Sequence, residues 1–246
     1  MGDPWAAVLH QKSTPELALL QDEGNVRSSE TALLMIQHSN VSLLCEAVAK
    51  NNVQLVKDLL QGGYSIGAQD GDGNTPLHIA AEHGFPALIK MLVAAGASTE
   101  IRGSDLDATP LHIAIACGQT VAALTLLDLG ADVNAVGAYG TKALEIAARN
   151  NEIKVMLALI RRGAKVDARS ESGWTPLHVA AGFNNPMAIA VLVRFGADPN
   201  SRDVDGDTPL MTACSMEHLD CVQQLLSGGA NPRILAAVRI IQNVTH

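Results

Sequence analysis

The stretch Thr75-Pro76-Leu77-His78-Ile79-Ala80-Ala81-Glu82-His83-Gly84 decides the fold. Thr followed by Pro opens a helix, because the hydroxyl can cap it and Pro at the first helical position gives up only an N–H that would have no partner. Ala80 and Ala81 are small enough to let a neighbouring helix approach closely, and Gly84 tolerates the left-handed angles of a helix end. A second helix then reads from the apolar spacing of Leu88, Ile89, Leu92 and Val93, and it stops at Gly96.

The same instructions recur on both sides. Thr109-Pro110-Leu111-His112 and Thr175-Pro176-Leu177-His178 repeat the opening, Lys142-Ala143-Leu144-Glu145 and Thr208-Pro209-Leu210-Met211 alter it, and Ser42-Leu43-Leu44-Cys45 is a degenerate first copy. The starts fall at 42, 75, 109, 142, 175 and 208, so six copies keep a step of 33 residues with a single 34. A period of this size is the signature of a stacked-repeat architecture. Gly118, Asn151 and Asn184 take the turn position of Gly84, and Gly63, Gly130, Gly163, Gly196 and Gly229 take the stop position of Gly96. Between each stop and the next opening lie about ten residues rich in Gly and Asp, which read as a turn or short hairpin.

This pattern resembles the ankyrin repeat over residues 42 to 232. The resemblance implies an all-α solenoid with short β-hairpin or turn fingers, and a concave surface made of the fingers and the first helices. Two departures should be locally distinct: the fourth copy lacks Thr-Pro and His, and the finger after Gly96 is one residue longer. Residues 1–41 do not match the repeat, but Ser13-Thr14-Pro15-Glu16 followed by Leu17, Leu19 and Leu20 reads as a capped helix, and 29–37 as another. They are expected to form an N-terminal helical cap. Residues 233–246, with Ile234, Leu235, Val238 and Ile241 at helical spacing, are expected to close the other end.

Composition agrees with such a stack. Of 246 residues 48% are hydrophobic but only 3% aromatic, so the core must be built from Leu, Ile, Val and Ala. The net charge of −8 makes nucleic acid and anionic membranes poor partners. The uncharged run 108–127 contains Pro110, His112, Gly118 and Gln119 and makes a poor bilayer span. Four scattered cysteines and no secretory pattern at the start point to a reducing compartment: a monomeric cytoplasmic protein, with the nucleus as an alternative.

Several signals imitate chemistry. His78, His112 and His178 share one place in successive units, but adjacent helices pack about 8–10 Å apart, too far for zinc ligands about 2 Å from one ion. In the ankyrin family this His makes hydrogen bonds between loops, and that role is expected here. Asp70-Gly71-Asp72-Gly73-Asn74-Thr75 and Asp203-Val204-Asp205-Gly206-Asp207-Thr208 open like calcium loops, but they lack Gly at the sixth place and Glu at the twelfth, so the acids read as solvated finger tips. Cys214 and Cys221 read as core hydrophobes and Cys117 as the accessible thiol. No nucleophile elbow, phosphate loop or HExxH occurs, so neither enzyme chemistry, a metal nor a cofactor is expected.

The side chains that the repeat does not dictate are the candidates for partner binding. Tyr139 and Trp174 stand on variable finger positions and Phe183 on the variable face of a first helix, so three of the seven aromatics gather in the fourth and fifth units. Exposed aromatics are good anchors. Around them Arg102, Asp105, Arg169, Glu171, Arg202, Asp205 and Asp207 on the fingers, with Arg149, Asn150 and Met216 on the first helices, would line a groove. Its acidic excess would suit a basic or mixed-charge protein partner. The expected function is a non-enzymatic interaction module serving as adaptor, inhibitor or targeting scaffold. An alternative treats the chain as a substrate: Asp132-Val133-Asn134, with Leu126 eight residues upstream of Asn134, resembles the site of asparaginyl hydroxylation in ankyrin repeats. A small-molecule-binding or enzymatic groove is the third reading.

Overall fold

The computed structural model describes residues 43–103 and 107–233. Their regular structure is helical. The helices are α1 (described over 43–49), α2 (Val53–Gln61), α3 (Pro76–Glu82), α4 (Pro86–Ala94), α5 (Pro110–Ala116), α6 (Thr120–Asp128), α7 (Ala143–Arg149), α8 (Ile153–Arg161), α9 (Pro176–Gly182), α10 (Pro186–Arg194), α11 (Pro209–Ser215) and α12 (Leu219–Ser227). A first helix of seven residues and a second of nine alternate from α3 onward.

Each first helix packs on its own second helix and on the next first helix, while the second helices stack on one another. The result is the two-layered all-α solenoid. Its core is the seam between the layers: Leu88, Ile89, Leu92, Leu126, Met156, Leu159, Ile189, Leu192 and Leu225 are fully buried, and alanines at 80, 114, 147, 180 and 213 let the first helices close on one another. The expected β component is slight: among the described residues one isolated antiparallel bridge, Val136 to Lys142, is found, and the other fingers are turns.

The turn and stop residues carry the expected backbone. Gly84 and Gly118 have φ of +71° and +69°, and Asn51, Asn151 and Asn184 lie between 51° and 56°. The sixth copy puts Glu217 there at φ +59°. A left-handed glutamate costs about 1 kcal/mol that glycine does not, so Glu217→Gly is expected to raise the stability by about that amount. A shift of the urea midpoint checks it.

The helix openings differ from the simplest reading. Thr75 directs both its N–H (3.3 Å) and its hydroxyl (2.9 Å) at Nδ1 of His78, whose Nε2 lies 3.1 Å from the carbonyl of Ala108 on the next finger. A carbonyl only accepts, so Nε2 carries the proton and Nδ1 receives the two bonds. His178 repeats this with Thr175 (3.2 and 2.9 Å) and the Asp207 carbonyl (3.1 Å). In the sixth copy Met211 replaces the histidine, and Thr208 Oγ1 instead accepts the Met211 N–H (3.4 Å), an ordinary N-cap.

The fourth copy solves the opening with a carboxylate. Glu145 holds the histidine position and takes the Lys142 N–H, but burial pushes its carboxyl up to about 7 against the help of that bond and of Lys142. The raised value means that the fold favours the protonated acid. That contribution is complete below the unfolded value of 4.5 and is lost as pH rises through about 7. Glu145→Gln is therefore expected to stabilise the chain by about 1–2 kcal/mol at pH 8 and to make little difference at pH 4. Thermal melts at the two pH values test the difference.

Candidate protein-binding face

The fingers and the ends of the first helices form one face, and backbone bonds link its parts. The Tyr139 carbonyl accepts the Glu171 N–H (3.1 Å), and the Ser172 carbonyl accepts the Val204 N–H (3.2 Å), so successive finger tips are tied edge to edge. Each tip is also braced internally. Asp70 Oδ1 accepts the N–H groups of Asp72 (3.0 Å) and Asn74 (2.8 Å), and Asp203 Oδ1 accepts those of Asp205 (3.0 Å) and Asp207 (2.9 Å). The first aspartate of each calcium-like motif is thus a loop brace and not a solvated tip. Among the described residues no cluster could hold a metal ion.

The candidate residues separate into two groups. Arg102 donates to the Asp107 carbonyl and carboxylate, both at 2.7 Å, and to the carbonyl of Val136 on the next finger. Arg169 reaches the carbonyls of Gly173 (3.4 Å) and Arg202, and Arg202 that of Gly206 (3.0 Å). The Arg102 and Arg169 guanidinium groups staple neighbouring fingers, and that of Arg202 braces its own. Asn150 likewise donates to the carbonyls of Ile115 (3.0 Å) and Ala116 (3.2 Å) at the end of α5. Asn134, the modification candidate, donates to the Gly163 carbonyl (3.2 Å) and accepts the Lys165 N–H (3.1 Å), so its amide bridges two loops.

The second group faces outward. Tyr139 is 62% exposed and Phe183 44%, with Met216, Val204, Glu171, Asp205 and Asp207 exposed beside them. Tyr139 is held at φ +56°, ahead of Gly140 at +74°, in the turn that the Val136–Lys142 bridge closes. The Arg149 guanidinium lies 4.8 Å above the Phe183 ring, a cation–π contact, and is half-buried. Trp174 departs from the expectation of an exposed aromatic: it is half-buried, its ring stacked on His178 with centroids 6.3 Å apart. Asp105 lies outside the described residues, as do the helices expected at 13–20 and 29–37.

Cys117 is partly exposed, and burial pushes its thiol up to about 11, so little thiolate exists at neutral pH. Cys221 is buried with its thiol likewise near 11, as suits a core residue, and Cys214 is partly exposed. Two contributors to the face escaped the sequence reading. Val204, 69% exposed at a finger tip, carries no pattern that separates it from a packed valine. Gly182 closes α9 at the place where the other described first helices end in Ala49, Glu82, Ala116, Arg149 and Ser215, and lining up the copies would have exposed it.

Comparison with known proteins places this geometry. A family model described as ankyrin repeats (3 copies) matches residues 44–137 and 144–235. Human protein phosphatase 1 regulatory subunit 27 is 35% identical over 82 residues, which cover 33% of this chain and 53% of that protein. Human palmitoyltransferase ZDHHC13 is 29% identical over 120 residues, 49% of this chain and 19% of that protein. A fowlpox virus putative ankyrin repeat protein FPV219 is 37% identical over 60 residues, 24% of this chain and 14% of that protein. The matches therefore span about half of the regulatory subunit and about a fifth of the palmitoyltransferase.

Proposed function

Because this chain belongs to the ankyrin-repeat family, we propose that it acts as a non-enzymatic interaction module whose finger and first-helix face holds a protein partner. The observation that carries the reading is the exposure of Tyr139, Phe183, Met216 and Val204 on that face, while the described first helices leave no large apolar side chain exposed. Isolated exposed apolar residues are ordinary. An exposed tyrosine in a left-handed turn, where a non-glycine residue costs about 1 kcal/mol or more, is less ordinary.

The regulatory-subunit relative supports a scaffold that works by binding another protein. Acidic side chains on the fingers favour a basic or mixed-charge partner. No described helix is long and apolar enough to cross a membrane, and a monomer in the cytoplasm or nucleus fits the reading. The proposed organisation is a cap over 1–41, six units over 42–232 and a closing helix over 233–246. Cys214 and Val222 support the last part: the places they hold are buried in the interior units, yet they are only half-buried here.

Affinity capture from the source cells with quantitative mass spectrometry tests the function. Tyr139→Ala and Phe183→Ala are expected each to lose about tenfold of a specific partner, as hot-spot removal does, with melting temperatures close to that of the parent. Retention of every partner by both variants would overturn the assigned face.

A further inference from the structure

Gly182 has no structural reason to be glycine. It is the last residue of α9 with ordinary helical angles, and a Cβ built on it would meet Thr212 Cγ2 at 3.5 Å and the Trp174 atoms Cη2 and Cζ3 at 3.6 Å. Those are normal contact distances, so alanine fits. Glycine also weakens a helix relative to alanine. Its presence leaves a notch in the partner face. The six-membered ring of the Trp174 indole forms the floor and the Thr212 methyl group a wall.

The rim is acidic. Asp207 sits beside the indole, because its carbonyl bonds to His178 and the indole stacks on that same imidazole. Its carboxylate is exposed, and Asp205 is exposed on the same finger. The nearby cations of Arg169 and Arg202 are turned onto finger carbonyls, and Arg149 lies against Phe183. The Trp174 ring is therefore an aromatic surface with a missing side chain above it, stacked on the imidazole on which the Asp207 charge also acts. An aromatic floor with an acidic rim suits a long side chain with an apolar stem and a cationic head.

We propose that the notch over Gly182 is a specificity pocket that takes one arginine or lysine side chain from an extended segment of a protein partner. The stem lies on the Trp174 indole and the head meets Asp207 and Asp205. This rests on the interaction role proposed above and adds which part of the face selects and what chemistry it selects.

The test begins with a phage-displayed library of random dodecapeptides panned on the immobilised full chain. The leading peptide is then synthesised and titrated by the fluorescence of Trp174 in a Trp5→Phe background. The enriched sequences are expected to share one Arg or Lys whose replacement by Ala weakens binding about tenfold or more. Gly182→Ala is expected to weaken binding similarly while raising the melting temperature, a combination that damage to the fold cannot produce. Asp207→Asn is expected to weaken binding several-fold and flatten its salt dependence. A consensus without a basic residue, or full affinity in Gly182→Ala, overturns the pocket. So does a library that yields no binder. The interaction role still stands in each case if Tyr139→Ala and Phe183→Ala lose the captured partner.

Discussion

His178→Ala is expected to cost about 3 kcal/mol, near the upper end for single substitutions. The imidazole is fully buried and holds three groups at once: the Thr175 N–H, the Thr175 hydroxyl and the Asp207 carbonyl. Alanine leaves the buried Thr175 N–H without its partner, worth about 1–3 kcal/mol, takes from the Asp207 carbonyl one of its two bonds while the Asp203 N–H at 2.9 Å stays, and opens a cavity beneath Trp174. The neighbouring finger loses its anchor as well. Urea denaturation should show a lower midpoint, and hydrogen exchange should quicken first around Asp203 to Asp207.

The same histidines set an acid limit. Burial lowers the basicity of His78 and His178, and it brings His112 down to about 4. The fold thus favours neutral imidazole, as the tautomer requires, since a protonated Nδ1 could not accept from threonine. The sign follows from linkage: the contribution is complete above the unfolded value of 6.5 and is lost as pH falls through the folded values. Stability should drop between pH 6.5 and pH 4, and His178→Ala should lose part of that dependence.

The second large effect belongs to a glycine. Gly173→Ala is expected to cost more than about 2 kcal/mol, against about 1 kcal/mol for Gly196→Ala. Both glycines have positive φ, +77° and +88°. A Cβ at Gly196 meets nothing within 4 Å, so only the backbone penalty applies, whereas one at Gly173 would lie 2.9 Å from the Val204 N and 3.2 Å from Asp203 backbone atoms. The finger of the sixth unit would have to move, and with it the Ser172–Val204 bond. Equal losses in the two variants would show that the close approach of the fingers does not matter.

Much of this architecture was readable from residue types. The Gly and Asn positions that end helices are fixed by backbone angle, a local property that one residue carries by itself. The shared place of His78, His112 and His178 ruled out a common metal ion before any coordinates, because helix spacing is a general quantity. The face was read less well. Whether Arg102 and Arg169 meet a partner or a neighbouring finger depends on where a carbonyl one unit away points, and repeat spacing does not contain that; Arg202 turns onto a carbonyl of its own finger. Asn150 failed in the same way, since its amide reaches back one unit to the end of α5. Trp174 looked exposed because its position varies between copies, yet a variable position next to a buried histidine can stack on it. Gly182 gives no signal of that kind, because its importance lies in a side chain that is missing.

The most direct measurement is backbone hydrogen exchange on the full chain with and without its captured protein partner. The account predicts slowed exchange at the finger amides around Tyr139, Glu171 and Val204 and at the end of α9. It predicts unchanged exchange along the outer side of the second helices, where Lys154 and Arg161 are exposed. Protection confined to those second helices, with the fingers exchanging as before, would contradict it.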